Sequence, residues 1–131
     1  MKRRTGAFFL VLLALATAAS VSAHHNMSAI FDFNDRVTLT GTVTKLEWVN
    51  PHIYLYLDAK GAGEGVEPWS VEGPSPSYFR VHDIPKVDFE GAIGKSVTVE
   101  ASRARDRSKS GLLRLVTLPG GKVISLCPQN C

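Results

Sequence analysis

The chain has 131 residues, 44% of them hydrophobic and 21% charged, which is the composition of an ordinary globular protein. Fifteen Lys and Arg stand against twelve Asp and Glu, but three of the basic residues lie within the first four positions. Beyond them the charges balance at twelve of each sign. This balance argues against nucleic acid or a charged membrane surface as the partner.

Residues 1–23 predict a signal peptide. Residues 2–4 form a basic start, residues 7–19 form an apolar run, and residues 21–23 (VSA) place small side chains at the cleavage-recognition positions. The apolar run is shorter than the roughly 20 residues that span a bilayer as a helix. We therefore expect export by the general secretory route, cleavage after Ala23, and a periplasmic or secreted protein without a membrane span. An uncleaved N-terminal anchor is the alternative.

The first strand is predicted over residues 37–49, after a polar N-terminal segment at residues 24–36. The stretch is rich in β-branched residues, and valine and leucine alternate with threonine along it. Gly41 interrupts the pattern, as a glycine does where a strand bulges or coils sharply. The Asn-Pro pair at residues 50–51 marks the turn that follows.

Residues 52–59 predict a second strand with two different faces. Ile, Leu and Leu at positions 53, 55 and 57 point to one side and are predicted to join the core. The opposite side carries His52, Tyr54 and Tyr56. This strand therefore combines a core face with a face that can contact a ligand.

A hairpin and one helix are predicted next. Glycine-rich residues 60–65 form the hairpin loop, and residues 66–73 form the returning strand, in which Pro68 indicates an edge position or a break. Residues 75–82 predict a short helix, because Ser75 can cap it and a proline suits its first turn. It is the one helix that the pattern supports.

Strand patterns resume after a mixed connection at residues 83–94. Residues 95–105 alternate again, residues 106–111 form a polar turn, and residues 112–119 form a further strand. A Gly-Gly turn then leads into a short last strand that ends near residue 126.

This order of elements predicts a mainly all-β domain over residues 37–126. A coiled first strand, and one short helix between strands 3 and 4, are typical of a small OB-like Greek-key barrel. A generic six-stranded β-sandwich is the main alternative. The tail at residues 127–131 holds Cys127 and Cys131, which predict a disulfide in an oxidising compartment. Reactive or intermolecular thiols and a metal thiolate site are the alternatives.

Three stretches of the chain resemble one known family. They are the histidine pair in HHNMSAIFD (residues 24–32), the block TGTV with Trp48 and NPH (residues 40–52), and the strand pair around residues 97–122. Here the chain resembles small exported bacterial proteins of the domain-of-unknown-function family 6152. The resemblance implies export and fold and implies no activity, because none is established for that family. Members usually read His-His-Ser where this chain reads His-His-Asn, and the terminal CPQNC is not a family feature.

Candidate ligand-binding residues lie on the second strand. His52, Tyr54 and Tyr56 share a face, and in an OB-like fold the second and third strands form much of the ligand face. Trp48 is predicted to join them, with Trp69 as an extension of the same platform. Such a face suits a sugar, an aromatic compound or a peptide. The alternative is that these aromatic rings cover a second small core or pack under the N-terminal segment.

The histidine pair supports a second hypothesis, a metal site. Cleavage after Ala23 gives His24 a free α-amine that can chelate one ion together with its ring nitrogen, and copper(II) favours such ligands. His25, His52 and His82 are available as further imidazoles, and Met27 as a soft ligand for copper(I). The alternative is a solvated chain end.

The basic residues Arg103, Arg105, Arg107 and Lys109 suggest either an anion grip or an ordinary solvated loop, because Asp106 interrupts them. No nucleophile motif, phosphate-binding glycine loop or H-E-x-x-H helix is present in the sequence. We therefore expect a binding module rather than an enzyme. Its expected partner is an unidentified small ligand or protein, and copper is the one cofactor that the metal hypothesis suggests.

Overall fold

The computed structural model describes residues 27–61 and 63–126. The elements follow in the order α1 (Met27–Ile30), β1 (Phe31–Glu47), β2 (Tyr54–Lys60), β3 (Val66–Glu72), α2 (Pro76–Val81), α3 (Lys86–Glu90), β4 (Ser96–Ala104), β5 (Ser110–Thr117) and β6 (Val123–Ser125). The fold is mainly β, as predicted. Among these residues, no helix has the length and apolar character to cross a membrane. The predicted signal peptide and the cysteine tail lie outside the described residues.

β1 is the longest strand and pairs with β2 on one side and β4 on the other. Its burial alternates with the period of a strand, so that Leu39 and Val43 face the core while the threonines face out. The strand begins at Phe31 rather than at the predicted residue 37. Phe31 is buried and pairs with Ala104 of β4, which extends the sheet into the segment predicted to precede it.

Gly41 does not form a bulge, one of the two roles predicted for it. It is paired with Ala59 of β2 and with Val97 of β4, and the irregularity in the β1–β2 register falls between Val43 and Lys45. A Cβ atom at Gly41 would lie 2.4 Å from the backbone oxygen of residue 58. The glycine therefore allows two backbones to approach closely, which is a second reason for glycine within a strand.

The six strands form one sheet in the order β3-β2-β1-β4-β5-β6, with antiparallel neighbours. β3 also pairs in parallel with β5 through residues 70–72 and 110–112. Hydrogen-bonded pairing therefore runs from β1 through β2, β3, β5 and β4 and back to β1. Pro68 lies outside the paired part of the β3–β5 contact, in agreement with the predicted edge position.

The helix predicted between β3 and β4 is present, and a second helix follows it. Ser75 caps α2 through its side-chain oxygen, which accepts a hydrogen bond from the backbone N–H of Tyr78 at 3.3 Å. The expectation of a single helix there is wrong, because residues 86–90 form α3. α3 follows Pro85, which provides no side-chain cap, so the signal that identified α2 is missing.

The two helices add aromatic side chains to the core. Phe79 of α2 and Phe89 of α3 are fully buried, with ring centroids 5.3 Å apart. Trp48, which follows β1, packs against both rings at 4.6 and 5.5 Å. The helices thus join the apolar inner face of the sheet in one core cluster.

Candidate functional site

The outer face of β2 is the starting point of the candidate site. Ile53, Leu55 and Leu57 are at most 1% exposed, whereas His52, Tyr54 and Tyr56 are each partly exposed, so the predicted alternation is confirmed. Period-two geometry places the second set together on the side away from the core.

A cavity of about 240 Å³ lies where this face meets α1. It is lined by Met27, Ile30, Pro51, His52, Tyr54 and Glu72. The cavity therefore takes Met27 from the predicted metal ligands, Tyr54 from the predicted ligand-binding residues, and His52, which belongs to both sets. Its volume is below the roughly 300–1,000 Å³ that is usual for drug-sized ligands, so it suits a smaller molecule or an ion.

His52 is held in place by Glu72. Its Nδ1 lies 2.5 Å from Glu72 Oε1, and the two side chains are 26% and 15% exposed. A ring that donates Nδ1–H to a carboxylate carries its lone pair on Nε2 when neutral, so the carboxylate sets both the tautomer and the ring orientation. Two backbone bonds support the pair, from Ile53 N to Pro74 O at 3.1 Å and from Gly73 N to Ile53 O at 2.9 Å.

Tyr54 lines the cavity with an aromatic ring whose hydroxyl stays protonated. It pairs across the sheet with Glu47 on β1 and Glu72 on β3. Burial raises the pKa of Tyr54, and the charge of Glu72 and a hydrogen bond to it raise that pKa further. The phenol therefore remains protonated well into the alkaline range and presents an O–H group beside the His52–Glu72 pair.

Tyr56 belongs to a cluster with Lys45 and Glu47 in which the two charges cancel. Its hydroxyl donates to Glu47 Oε2 at 3.0 Å, and Lys45 Nζ donates to Glu47 Oε1 at 2.5 Å. Burial and the bond to Glu47 raise the pKa of Tyr56, while Lys45 and then Tyr56 lower the pKa of Glu47. Lys45 balances the charge of Glu47, and Glu72 is the carboxylate that lines the cavity.

The two tryptophans lie elsewhere. Trp69 is 4% exposed on the inner face of β3, opposite Leu57, with Arg103 and Lys109 over its ring at 5.3 and 5.5 Å. It is a core residue and does not extend the platform. Trp48 packs on the helix phenylalanines of the main core, and it is not among the residues that line the cavity.

Each residue of the basic cluster has an acidic partner. Asp35 lies 3.7 Å from Arg103 and 2.7 Å from Arg107, and Asp32 lies 3.4 Å from Arg105. Lys109, the fourth member of the cluster, bonds Glu67 on β3 at 2.7 Å. The charges are compensated locally, which favours the alternative of a solvated loop over an anion site.

Glu72 is the important site residue that the sequence reading missed. The hairpin register pairs Lys60 with Val66 and, by counting outward, Tyr54 with Glu72. Cross-strand partners lie on the same face of a sheet. A hairpin centred on the glycine-rich loop therefore predicts from the sequence that Glu72 lies beside Tyr54.

The terminal parts of the predicted metal site and the predicted disulfide lie outside the described residues. These are His24, His25, Cys127 and Cys131. Within residues 27–61 and 63–126, no group of three or more His, Cys, Asp or Glu is arranged to hold a metal ion. Met27 and His52 are the two predicted metal ligands that line the cavity.

Comparison with known proteins identifies one family. A search of curated proteins and a search of solved structures give no significant match. The sequence model of a family described as "Family of unknown function (DUF6152)" matches residues 11–114. This match confirms the resemblance drawn from the TGTV and NPH blocks and covers well over half of the sequence. The chain therefore belongs to this family of unknown function.

Proposed function

We propose that the protein is an exported binding module whose ligand site is the cavity between α1 and the outer face of β2. The observation that carries the proposal is the meeting of an oriented His52–Glu72 pair with Tyr54 in one concave site. Small-molecule sites have this character, with apolar walls and a few fixed polar groups. The signal peptide predicted over residues 1–23 supports export.

We also propose that the sheet is an OB-like Greek-key barrel. The circuit of pairings that includes the parallel β3–β5 contact supports this assignment, as do the helices between β3 and β4. In such barrels the face of strands 2 and 3 is the usual binding surface. The cavity takes His52, Tyr54 and Glu72 from the same two strands and the turn before them.

The lining indicates the chemistry of the ligand. Met27, Ile30 and Pro51 supply an apolar side, and the His52–Glu72 pair supplies a polar end with hydrogen-bond acceptors at the His52 ring and the Glu72 carboxylate. The expected ligand is therefore a small molecule with one apolar side and one polar group.

Amide chemical-shift mapping with a library of such small molecules tests the proposal. Binding should shift the amides of residues 51–56, 72 and 27–30, and His52→Gln should weaken it by about tenfold, the loss expected for one buried charge-assisted hydrogen bond. His82→Gln is the matched control, because His82 is exposed at the end of α2 and bonds the Tyr78 carbonyl at 2.8 Å. Binding that is unchanged by His52→Gln, or that shifts other regions only, contradicts the proposal.

Copper binding is a second candidate function, favoured by one specific observation. Met27 and His52 line the same cavity, and the carboxylate of Glu72 orients His52 in the way that carboxylates orient metal-ligating histidines. His24 and His25 precede Met27 closely in the sequence and are proposed to complete the site. Imidazole, amine and thioether ligands together suit copper.

Titration with copper(II) separates the two candidates. Protein that starts at His24 should bind one equivalent, and a version with one extra residue before His24 should bind at least about tenfold more weakly, because the α-amine is lost as a ligand. His52→Gln should weaken binding as well, whereas His82→Gln should not. Equal affinity of the two N-terminal forms argues against the copper site.

A further inference from the structure

α1 lines part of the cavity, although no buried side chain anchors it to the rest of the protein. It supplies Met27 and Ile30 to the cavity lining, yet none of its residues is buried, and Ile30 is 46% exposed. A helix of four residues is too short to be stable alone, since isolated helices below about 12–15 residues are marginal. Other contacts must therefore hold α1 in place.

Arg105, just after β4, makes two contacts with α1 and a third with the start of β1. Its backbone N–H donates to the Ile30 carbonyl at 2.9 Å, and its Nε donates to the Ser28 carbonyl at 2.8 Å. Its Nη1 lies 3.4 Å from Asp32 Oδ2. One planar guanidinium thus binds α1 and the start of β1 together, which a flexible ammonium group cannot reproduce.

The adjacent part of β1 depends on the same turn. The β1–β4 register is interrupted between Phe31 and Arg36, so residues 32–35 lie outside the regular ladder. In this interval Asp35 accepts a hydrogen bond from Arg107 at 2.7 Å. We call residues 27–35 the N-terminal strap. Backbone bonds hold the strap at Ile30 and Phe31, and the side chains of Arg105 and Arg107 bind it on either side of these two residues.

We propose that Arg105 is the positioning residue of the cavity: it holds the strap so that Met27 and Ile30 face His52 and Tyr54. The consequence for affinity rests on the proposed binding function, whereas the positioning itself does not. Loss of Arg105 should release one wall of the cavity and leave the His52–Glu72 pair in place.

Met27 offers a direct reporter of the strap. The chain has two methionines, Met1 and Met27, so methyl-¹³C-methionine labelling of protein that lacks the leader gives one signal. In Arg105→Gln this signal should move to the position of a free methionine side chain, and the amides of residues 31–33 should exchange about tenfold faster. Arg105→Lys should fall between, because one ammonium cannot reach both partners.

Arg80→Gln is the matched control. Arg80 is an exposed arginine on α2 that bonds Ser77 at 3.4 Å, so its replacement should leave the Met27 signal unchanged. Asp32→Asn removes one partner without altering Arg105, and it should move the Met27 signal in the same direction by a smaller amount. This second variant keeps the test decisive if Arg105→Gln does not fold.

Neither readout needs a ligand, so the two proposals can fail separately. If Arg105→Gln or Asp32→Asn leaves the Met27 signal and the exchange rates equal to those of Arg80→Gln, Arg105 does not position the strap. If the strap responds as expected but no small molecule shifts residues 51–56, the positioning holds and the proposed binding function fails. If both hold, the small molecules should bind Arg105→Gln about tenfold more weakly than Arg80→Gln.

Discussion

Gly41→Ala should destabilise the protein, because β1 lies between two strands at this point. The added Cβ would stand 2.4 Å from the backbone oxygen of Asp58, 2.6 Å from the Ala59 Cα and 2.8 Å from the Asp58 carbonyl carbon. All three are backbone atoms, which cannot rotate away as a flexible side chain can. β2, the strand that carries Tyr54, must therefore move away from β1.

The loss of unfolding free energy in Gly41→Ala is the balance of two opposing effects. Overpacking of a well-packed site costs about 1–3 kcal/mol, and a clash with three backbone atoms belongs at the upper end. Alanine within a strand gains roughly 0.5–1 kcal/mol over glycine through the entropy of the unfolded chain. The net loss of unfolding free energy at Gly41→Ala is thus about 2 kcal/mol. For a domain of this size it lowers the Tm by roughly 8–16 °C.

Urea and thermal unfolding measure this loss, with Gly65→Ala as the matched control. No atom lies within 4 Å of a Cβ built at Gly65, in the loop between β2 and β3, so that variant should stay within about 0.5 kcal/mol of the parent protein. Equal stability of Gly41→Ala and Gly65→Ala would refute the close-packing argument.

Three further predictions concern the core, a buried cation and alkaline pH. Phe79→Ala should lower the unfolding free energy by about 3–5 kcal/mol in urea titrations, because its ring is fully buried. Ser102→Ala should cost about 1–3 kcal/mol by the same assay, because Arg114 Nη1 donates to the Ser102 hydroxyl at 2.9 Å in a buried site. Tyr54 and Tyr56 have raised pKa values when folded, so their contribution to stability is complete below the unfolded pKa of about 10 and is lost as the pH rises through the folded values. Phenolate absorbance should therefore appear late in the folded protein, and Tyr54→Phe should reduce the loss of stability above pH 10.

Local patterns were sufficient to predict much of the sheet and of α2. The alternation in β2 placed His52, Tyr54 and Tyr56 on one face, because side-chain direction in a strand depends only on position parity. Ser75 and the following proline marked α2, since a cap and a first-turn proline are local signals. These features required no knowledge of distant contacts.

The missed features depend on contacts between distant parts of the chain. The role of Gly41 depends on how closely β2 approaches β1, and a glycine that bulges looks the same in sequence. The cavity depends on α1, which Arg105 holds through a carbonyl 77 positions away. Trp48 alternates as a platform residue would, yet its ring contacts Phe79 and Phe89 from helices that follow two further strands.

Native mass spectrometry with elemental analysis, on protein recovered from its native compartment, tests the binding site most directly. The account predicts a chain that starts at His24 and carries a bound small molecule or copper. Glu72→Gln should lose this species, because it removes the carboxylate that holds His52. Glu67→Gln should keep it, because Glu67 lies on the same strand but bonds Lys109 instead. A bound species that persists equally in both variants, or its absence from the parent protein, would contradict a ligand site at this cavity.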